Sequence, residues 1–292
     1  MLLNSGNLTV LYRGFNTAFR TGFGQAKPDH EVFTLTVPSS TAEEQYGWLG
    51  QWPSLREWVG ERVLRSIAEH GYSIRNKKYE ATVEVPRDAI EDDQYGVYAP
   101  MFSEMGRAAA SHPAELVYAL LKGGFEATCY DGQYFFDTDH PAAGKSVSND
   151  GGGSGTPWFL LDCSRMIKPM IFQRRRDYDL RRMDRLEDEH VFTTDNFRYG
   201  VDARVSAGYG LWQLAYGSKQ TLNATNYEAA REALLGMKGD AGRPLGIMPT
   251  HLVVPPSLDA EAREILISER NANGATNKWR GTAELICSPW LA

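Results

Sequence analysis

Cysteine is scarce in this chain. Cys129, Cys163 and Cys287 are the only three in 292 residues, and they stand far apart. That number and spacing exclude a disulfide framework and a cysteine-built zinc site, and fit free thiols in a reducing compartment. Long apolar runs are also missing. No stretch approaches the ~20 residues needed to cross a bilayer. The N-terminal MLLNSGNLTVLYRGF has polar interruptions and no small-residue cleavage site, so it is not read as a signal peptide. Positive charge is not in surplus: the formal net charge of -6 removes any global signature of nucleic-acid binding. No repeat of fixed period appears, which sets aside solenoids. What remains is the composition of a soluble globular protein, long enough for a sizeable core and two domains.

The most organised stretch is residues 61–123. Tyr79, Ala81, Val83 and Val85 alternate with Glu80, Thr82 and Glu84, the period of a strand with one wet face. Tyr72 and Ile74 alternate with Ser73 and Arg75 just before it. Asn76-Lys77 stands between the two runs, where a tight hairpin turn belongs, with Arg75, Lys77 and Lys78 charging its tip. Upstream, Trp58, Val59, Val63, Leu64 and Ile67 also fit a helix ending near His70-Gly71. After Pro86 the period turns helical through Val97, Met101, Phe102, Met105 and Ala109. Asp92 or Asp93 is a candidate cap, and Pro100 belongs in the first turn or at a kink. The spacing predicts a stop at Ser111-His112-Pro113 and a second helix from Ala114 to Lys122.

Elsewhere the pattern predicts an amphipathic helix within residues 1–24, with Leu8, Leu11, Tyr12, Phe15 and Phe19 on one face. HEVFTLTVPSS gives a short strand. Trp48, Trp52 and Trp58 crowd a segment without periodicity, either a local core plug or a strap laid on another chain. Residues 142–157 read as a flexible Gly/Ser loop. WFLLD, MIKPMIFQ, HVFTT and YGVDARVSAGYGLWQLAYG read as strands. From Asn223 the chain turns to compact α/β punctuation, so a domain boundary falls near Leu222.

Asp137, Asp139 and His140 form the most site-like cluster, of a kind that could hold a divalent metal in a hydrolase. No second ligand cluster accompanies it, and Asp-Thr-Asp-His-Pro is also good turn chemistry, so the structural reading is favoured about five to one. Ser154 sits in linker without the flanking glycine of a nucleophile elbow. Arg174, Arg175, Arg176, Arg181, Arg182 and Arg185 could grip phosphates, but Asp177, Asp179 and Asp184 interleave with them. A solvated or inter-subunit salt-bridge network is the better reading. No catalytic constellation, metal site or cofactor motif survives.

Four stretches, in order along nearly the whole chain, resemble the major head subunits of Mu-like bacteriophages and prophages. They are YGWLGQWPSLREWVGERV, YEATVEVPRDAIEDDQYGVYAPMFSEMGRAAASHP, CYDGQYFFDTDHP, and GRPLGIMPTHLVVPPSLDAEAREIL with NKWRGTAEL. The resemblance implies an α+β fold, the Hong Kong 97-type capsid fold of tailed phages, and a non-enzymatic subunit without cofactors. It implies an N-terminal arm and strap over 1–59, with Trp48, Trp52 and Trp58 as anchors, and an extended β-hairpin loop over 60–88. A peripheral domain would cover 89–222 with a long spine helix, and an axial domain 223–292. Arg75, Asn76, Lys77 and Lys78 would touch neighbouring subunits at the loop tip. In the type member of this fold the axial domain precedes the last long strands, whereas here the strand-rich stretch comes first. The implied partners are the chain itself in hexamers and pentamers, scaffold, portal and decoration proteins, and non-specifically packaged double-stranded DNA, with no membrane. The implied location is the virion, after assembly in the bacterial cytoplasm.

Overall fold

A computed structural model describes residues 3–49, 71–92, 94–142, 144–239, 242–271 and 274–292. The first element is helix α1, Ser5–Phe23, where the Asn4 side chain accepts the Asn7 N–H at 2.8 Å. Its apolar stripe buries Leu8, Leu11, Phe15 and Phe19 against the long helix α3, Ala99–Lys122. Two glycines set how closely these helices approach. A Cβ on Gly22 would lie 1.8 Å from the Ser103 carbonyl oxygen, and one on Gly106 2.0 Å from that of Phe19. The chain expected as an arm therefore begins inside the subunit's own core.

Beneath the helices lies a four-stranded sheet of β1 (Thr34–Pro38), β9 (Met170–Met183), β10 (Asn196–Tyr209) and β4 (Lys77–Pro86), in that order. β1 runs parallel to β9, and the other neighbours are antiparallel. Phe15 stacks on Phe102 at 4.1 Å, and Tyr199 of β10 meets both edge-on, at 5.2 and 5.4 Å, tying the two layers together.

A second sheet has the order β13 (Glu284–Cys287), β12 (His251–Val254), β8 (Trp158–Leu161), β11 (Ala215–Lys219) and β7 (Asp150–Gly153). Helices α5 (Ala224–Leu235) and α6 (Asp259–Leu266) belong with it. Trp158, Phe159, Leu160 and Leu161 are all buried, as a central strand covered on both faces requires. Two small antiparallel pairs complete the fold: β2 (Glu43–Gln45) with β3 (Ser73–Arg75), and β5 (His140–Ala142) with β6 (Lys145–Val147). Short helices α2 (Arg87–Glu91) and α4 (Glu189–Thr194) flank the far ends of β4 and β9.

Several expectations are corrected. Asn76-Lys77 is not a hairpin turn: Asn76 alone separates β3 from β4, which pair with different strands, β2 and β10. The Asn76 amide donates to Ser39 Oγ at 2.8 Å and to the Thr41 carbonyl at 3.0 Å, which fixes the junction. Pro113 does not end the helix. α3 runs through it because Ala109, Ala114, Val117 and Tyr118 are buried on both sides of the proline, and that packing outweighs one missing N–H. Asp92 closes α2 rather than opening α3, whose first turn holds Pro100. HVFTT lies in α4, closed by Asp195 in the left-handed region at φ 55°. The Gly/Ser stretch contributes β6 and β7 instead of a loop without structure. A boundary at Leu222 would sever the second sheet, since β7, β8 and β11 precede it and β12 and β13 follow.

Candidate assembly surfaces

Side chains alternate across the four-stranded sheet, so one face packs under α1 and α3 and the other is wet and charged. The arginine run lies on β9 and its C-terminal edge. Arg174 meets Asp177 at 3.3 Å, and Arg175 donates to the Ser40 carbonyl at 2.6 Å. Asp202 of β10 holds Arg176 on one side and Arg181, at 2.9 Å, on the other. Arg182 lies 4.8 Å from the Tyr12 ring centre and 3.6 Å from Asp184. Arg185 donates its backbone N–H to Asp188 at 3.1 Å. Burial raises the Asp184 carboxyl above its usual range, while Arg182 and the Tyr199 hydroxyl act against that shift. Exposed pairs of this kind contribute little each. Among those named, the contacts of Asp202 with Arg176 and Arg181 join β9 to β10, next to the register irregularities between Asp202 and Val205.

The residues expected at a loop tip sit beside the Arg174–Arg176 end of that run, Lys78 and Arg176 both lying opposite Arg204. Arg75, Lys77 and Lys78 are exposed, whereas Asn76 is buried and bonded within the subunit. The β2–β3 pair brings Gln45 opposite Ser73, so the chain between them leaves and returns at one base. Glu44 beside that base accepts the backbone N–H groups of Thr41 and Ser40, which lower its pKa to about 2. Trp48 is 38% exposed and edge-on to Tyr46; Trp52 and Trp58 lie outside the described residues.

Asp137, Asp139 and His140 do not converge. Asp137 accepts the backbone N–H groups of Tyr134 (3.1 Å) and Thr138 (2.7 Å), and Asp139 is exposed. His140 turns instead to Asp131, Nδ1 to Oδ2 at 2.8 Å, and its ring stacks on Trp212 at 3.9 Å. Among the described residues, the donor atoms that gather are those of Cys129, Asp131 and His140, within 4.8 Å of one another. Two of the contacts among them are made, His140 to Asp131 and Cys129 Sγ donating to Asp131 at 3.0 Å, while His140 Nε2 is buried without a hydrogen-bond partner. Burial alone would raise the Asp131 carboxyl, but the bonds from His140 and Cys129 hold it below its usual value. Burial, with Asp131 adding to it, pushes the Cys129 thiol up. This is a polar staple for the turn, and Asp131 was passed over in the sequence because nine residues separate it from His140.

Sequence reading also missed the tip formed by α2 and α4. Phe192 on α4 is 88% exposed, in a stretch that also carries Glu187, Asp188, Glu189 and Asp195. The run HVFTT alternates like a strand, and the only opposing signal is Asp188 ahead of it as a helix start. An apolar hollow of about 590 Å³ lies between α3 and β4, lined by Tyr79, Ala81, Val83, Met101, Met105 and Ala108. Among the described residues, no helix is long and apolar enough to cross a membrane.

Residues 8–291 match the family described as the Mu-like prophage major head subunit gpT. The major capsid protein of Escherichia phage Mu is 41% identical over 305 residues, covering all of both chains. The Mu-like prophage FluMu major head subunit of Haemophilus influenzae is 46% identical over 275 residues, covering 90% of this chain and 89% of that one. Among solved structures, the procapsid of bacteriophage JBD30 superposes with a TM-score of 0.88 at 43% identity, covering 99% of this chain and 100% of the other. The JBD30 capsid decorated with minor capsid protein trimers gives 0.81 at 34% identity, covering 93% of each chain.

Proposed function

Because the chain belongs to the Mu-like prophage major head subunit family and is a major capsid protein of that kind, we propose that its copies form hexameric and pentameric capsomers that close an icosahedral shell around double-stranded DNA. The observation that carries this reading is the likeness to a phage procapsid subunit over 99% of the chain, with a TM-score of 0.88. The mechanism is geometric: modest contacts repeat around closed symmetry, and many of them together stabilise the shell. No step of it needs a catalytic group or a cofactor.

We place the domain division between the two sheets in this reading. The four-stranded sheet with α1 and α3 is the peripheral domain, and α3 is its spine helix. The five-stranded sheet with α5 and α6 is the axial domain, gathering β7, β8 and β11 from before Leu222 and β12 and β13 from after it. The chain thus passes through the axial sheet on both sides of the long strands β9 and β10 in sequence. Arg75, Lys77 and Lys78 lie on β3 and β4, next to the β2–β3 pair. They and the arginine run would make polar, rearrangeable contacts with neighbours. Scaffold and portal proteins in the host cytoplasm, and trimers of a minor capsid protein on the finished shell, complete the partners; the decorated JBD30 capsid supports the last of these.

Sedimentation and light scattering of the full-length protein test the proposal. Species far above the 32.6 kDa subunit are expected. A protein that stays monomeric even when co-expressed with the other head proteins of its phage would overturn it.

A further inference from the structure

The wet face of the four-stranded sheet carries its charge in rows. In register across β4, β10 and β9, Lys78, Arg204 and Arg176 lie side by side. The next row along is acidic: Glu80, Asp202 and Asp179. Like charges directly opposite on neighbouring strands repel. The acidic row is answered within the subunit, where Asp202 holds Arg176 and Arg181 and Asp179 holds Arg20 at 2.7 Å. The cationic row is answered only at Arg176. The Arg204 Nε is buried and meets no acceptor, and Lys78 has no ion pair among the described residues.

At the other end of the same strands the sign reverses. The start of α2 and the end of α4 meet there, where Arg87 lies 3.6 Å from Asp195. Arg87 is also held by Glu91 at 2.9 Å, so it does not neutralise the rest. Asp88, Asp92, Glu187 and Glu189 are exposed and form no ion pair among the described residues, and Phe192, on α4 with Glu189, is exposed too. Eight residues of strand separate the two ends, about 25 Å.

We infer that these ends are the two halves of one contact between copies: the acidic tip bearing Phe192 docks on the Lys78–Arg204–Arg176 row of a neighbouring subunit. The occupant is a second copy because each subunit carries both halves, with complementary charge. Such a contact is head-to-tail, the kind that closes rings when it repeats. Charge would steer the approach, and an exposed aromatic side chain would supply the anchor. The inference rests on the shell-forming reading and specifies one of its interfaces.

A charge swap in the full-length protein tests it. Arg204→Glu, the pair Glu187→Lys with Glu189→Lys, and all three together are compared by light scattering and sedimentation, with circular-dichroism melting as the check on folding. Each reversal alone should lower the assembled fraction about tenfold, and the triple variant should restore it to within about threefold of wild type. Ends about 25 Å apart in one subunit can compensate only between copies. Arg204→Gln replaces the glutamate variant if that one does not fold, with a smaller loss expected. Unchanged assembly in the single reversals overturns the inference. A folded triple variant that assembles no better than they do also overturns it, as does a row that binds DNA while assembly is unaffected. Wild-type protein that forms no assemblies would instead count against the shell-forming reading itself.

Discussion

Gly22 and Gly106 show how single residues set the distance between layers. Each faces a backbone carbonyl on the opposite helix, which cannot swing aside as a side chain could. Gly106→Ala should destabilise the subunit by about 2 kcal/mol or more through overpacking; a denaturation midpoint equal to wild type would contradict that. His112 makes a second residue-scale case. Its Nδ1 lies 2.6 Å from the Tyr178 hydroxyl, and its ring meets Tyr79 edge-on. Burial lowers its pKa from the usual 6.5, with Glu115 pulling the other way. A histidine whose folded pKa lies below its unfolded value contributes fully above the unfolded pKa, and loses that contribution as the pH falls below it. The melting temperature should therefore drop between about pH 7 and pH 5, more steeply in wild type than in His112→Gln. Parallel slopes would remove His112 from the account. Asp131→Asn should cost about 2 kcal/mol, since it weakens charge-assisted bonds from His140 and Cys129 in a buried turn; chemical denaturation reads this directly.

At the scale of elements, α3 marks where sequence reasoning runs short. Its apolar spacing is plain on both sides of Pro113, but a proline reads as a stop unless one knows that both flanks are buried. Pro113→Ala supplies the missing donor to the Ala109 carbonyl and should raise subunit stability by about 1–3 kcal/mol. A loss instead would mean that the helix needs the proline's backbone geometry for its packing. α1, β1 and the long β10 were legible because one apolar period runs through each of them, and β8 because its apolar run is short and continuous. α4 was not: six residues are too few for periodicity to tell helix from strand. Asn76 looked like a turn because strand pairing is non-local. Nothing near it in sequence reveals that β3 pairs back to β2 while β4 pairs forward to β10.

For the whole molecule, the resemblance carried the fold and the function, while the internal division of the chain needed the sheets. Composition shifts near Leu222, but β8 (Trp158–Leu161) is central to a sheet that β12 (His251–Val254) and β13 (Glu284–Cys287) join only much later in the chain. The charge on the assembled surface has a measurable consequence. If the rows on β4, β10 and β9 mediate contacts between copies, raising the salt from about 0.1 to 1 M shortens the screening length to about 3 Å and should loosen capsomers. Light scattering across that range reads the effect, and particle mass independent of salt would exclude these rows from the interfaces.

Electron microscopy of particles from cells expressing this chain with its own phage's head proteins tests the central claim most directly. Closed shells with five-fold vertices, their walls built from this subunit, are expected. Shells that form without it, leaving the chain as a free 32.6 kDa protein, would contradict the account.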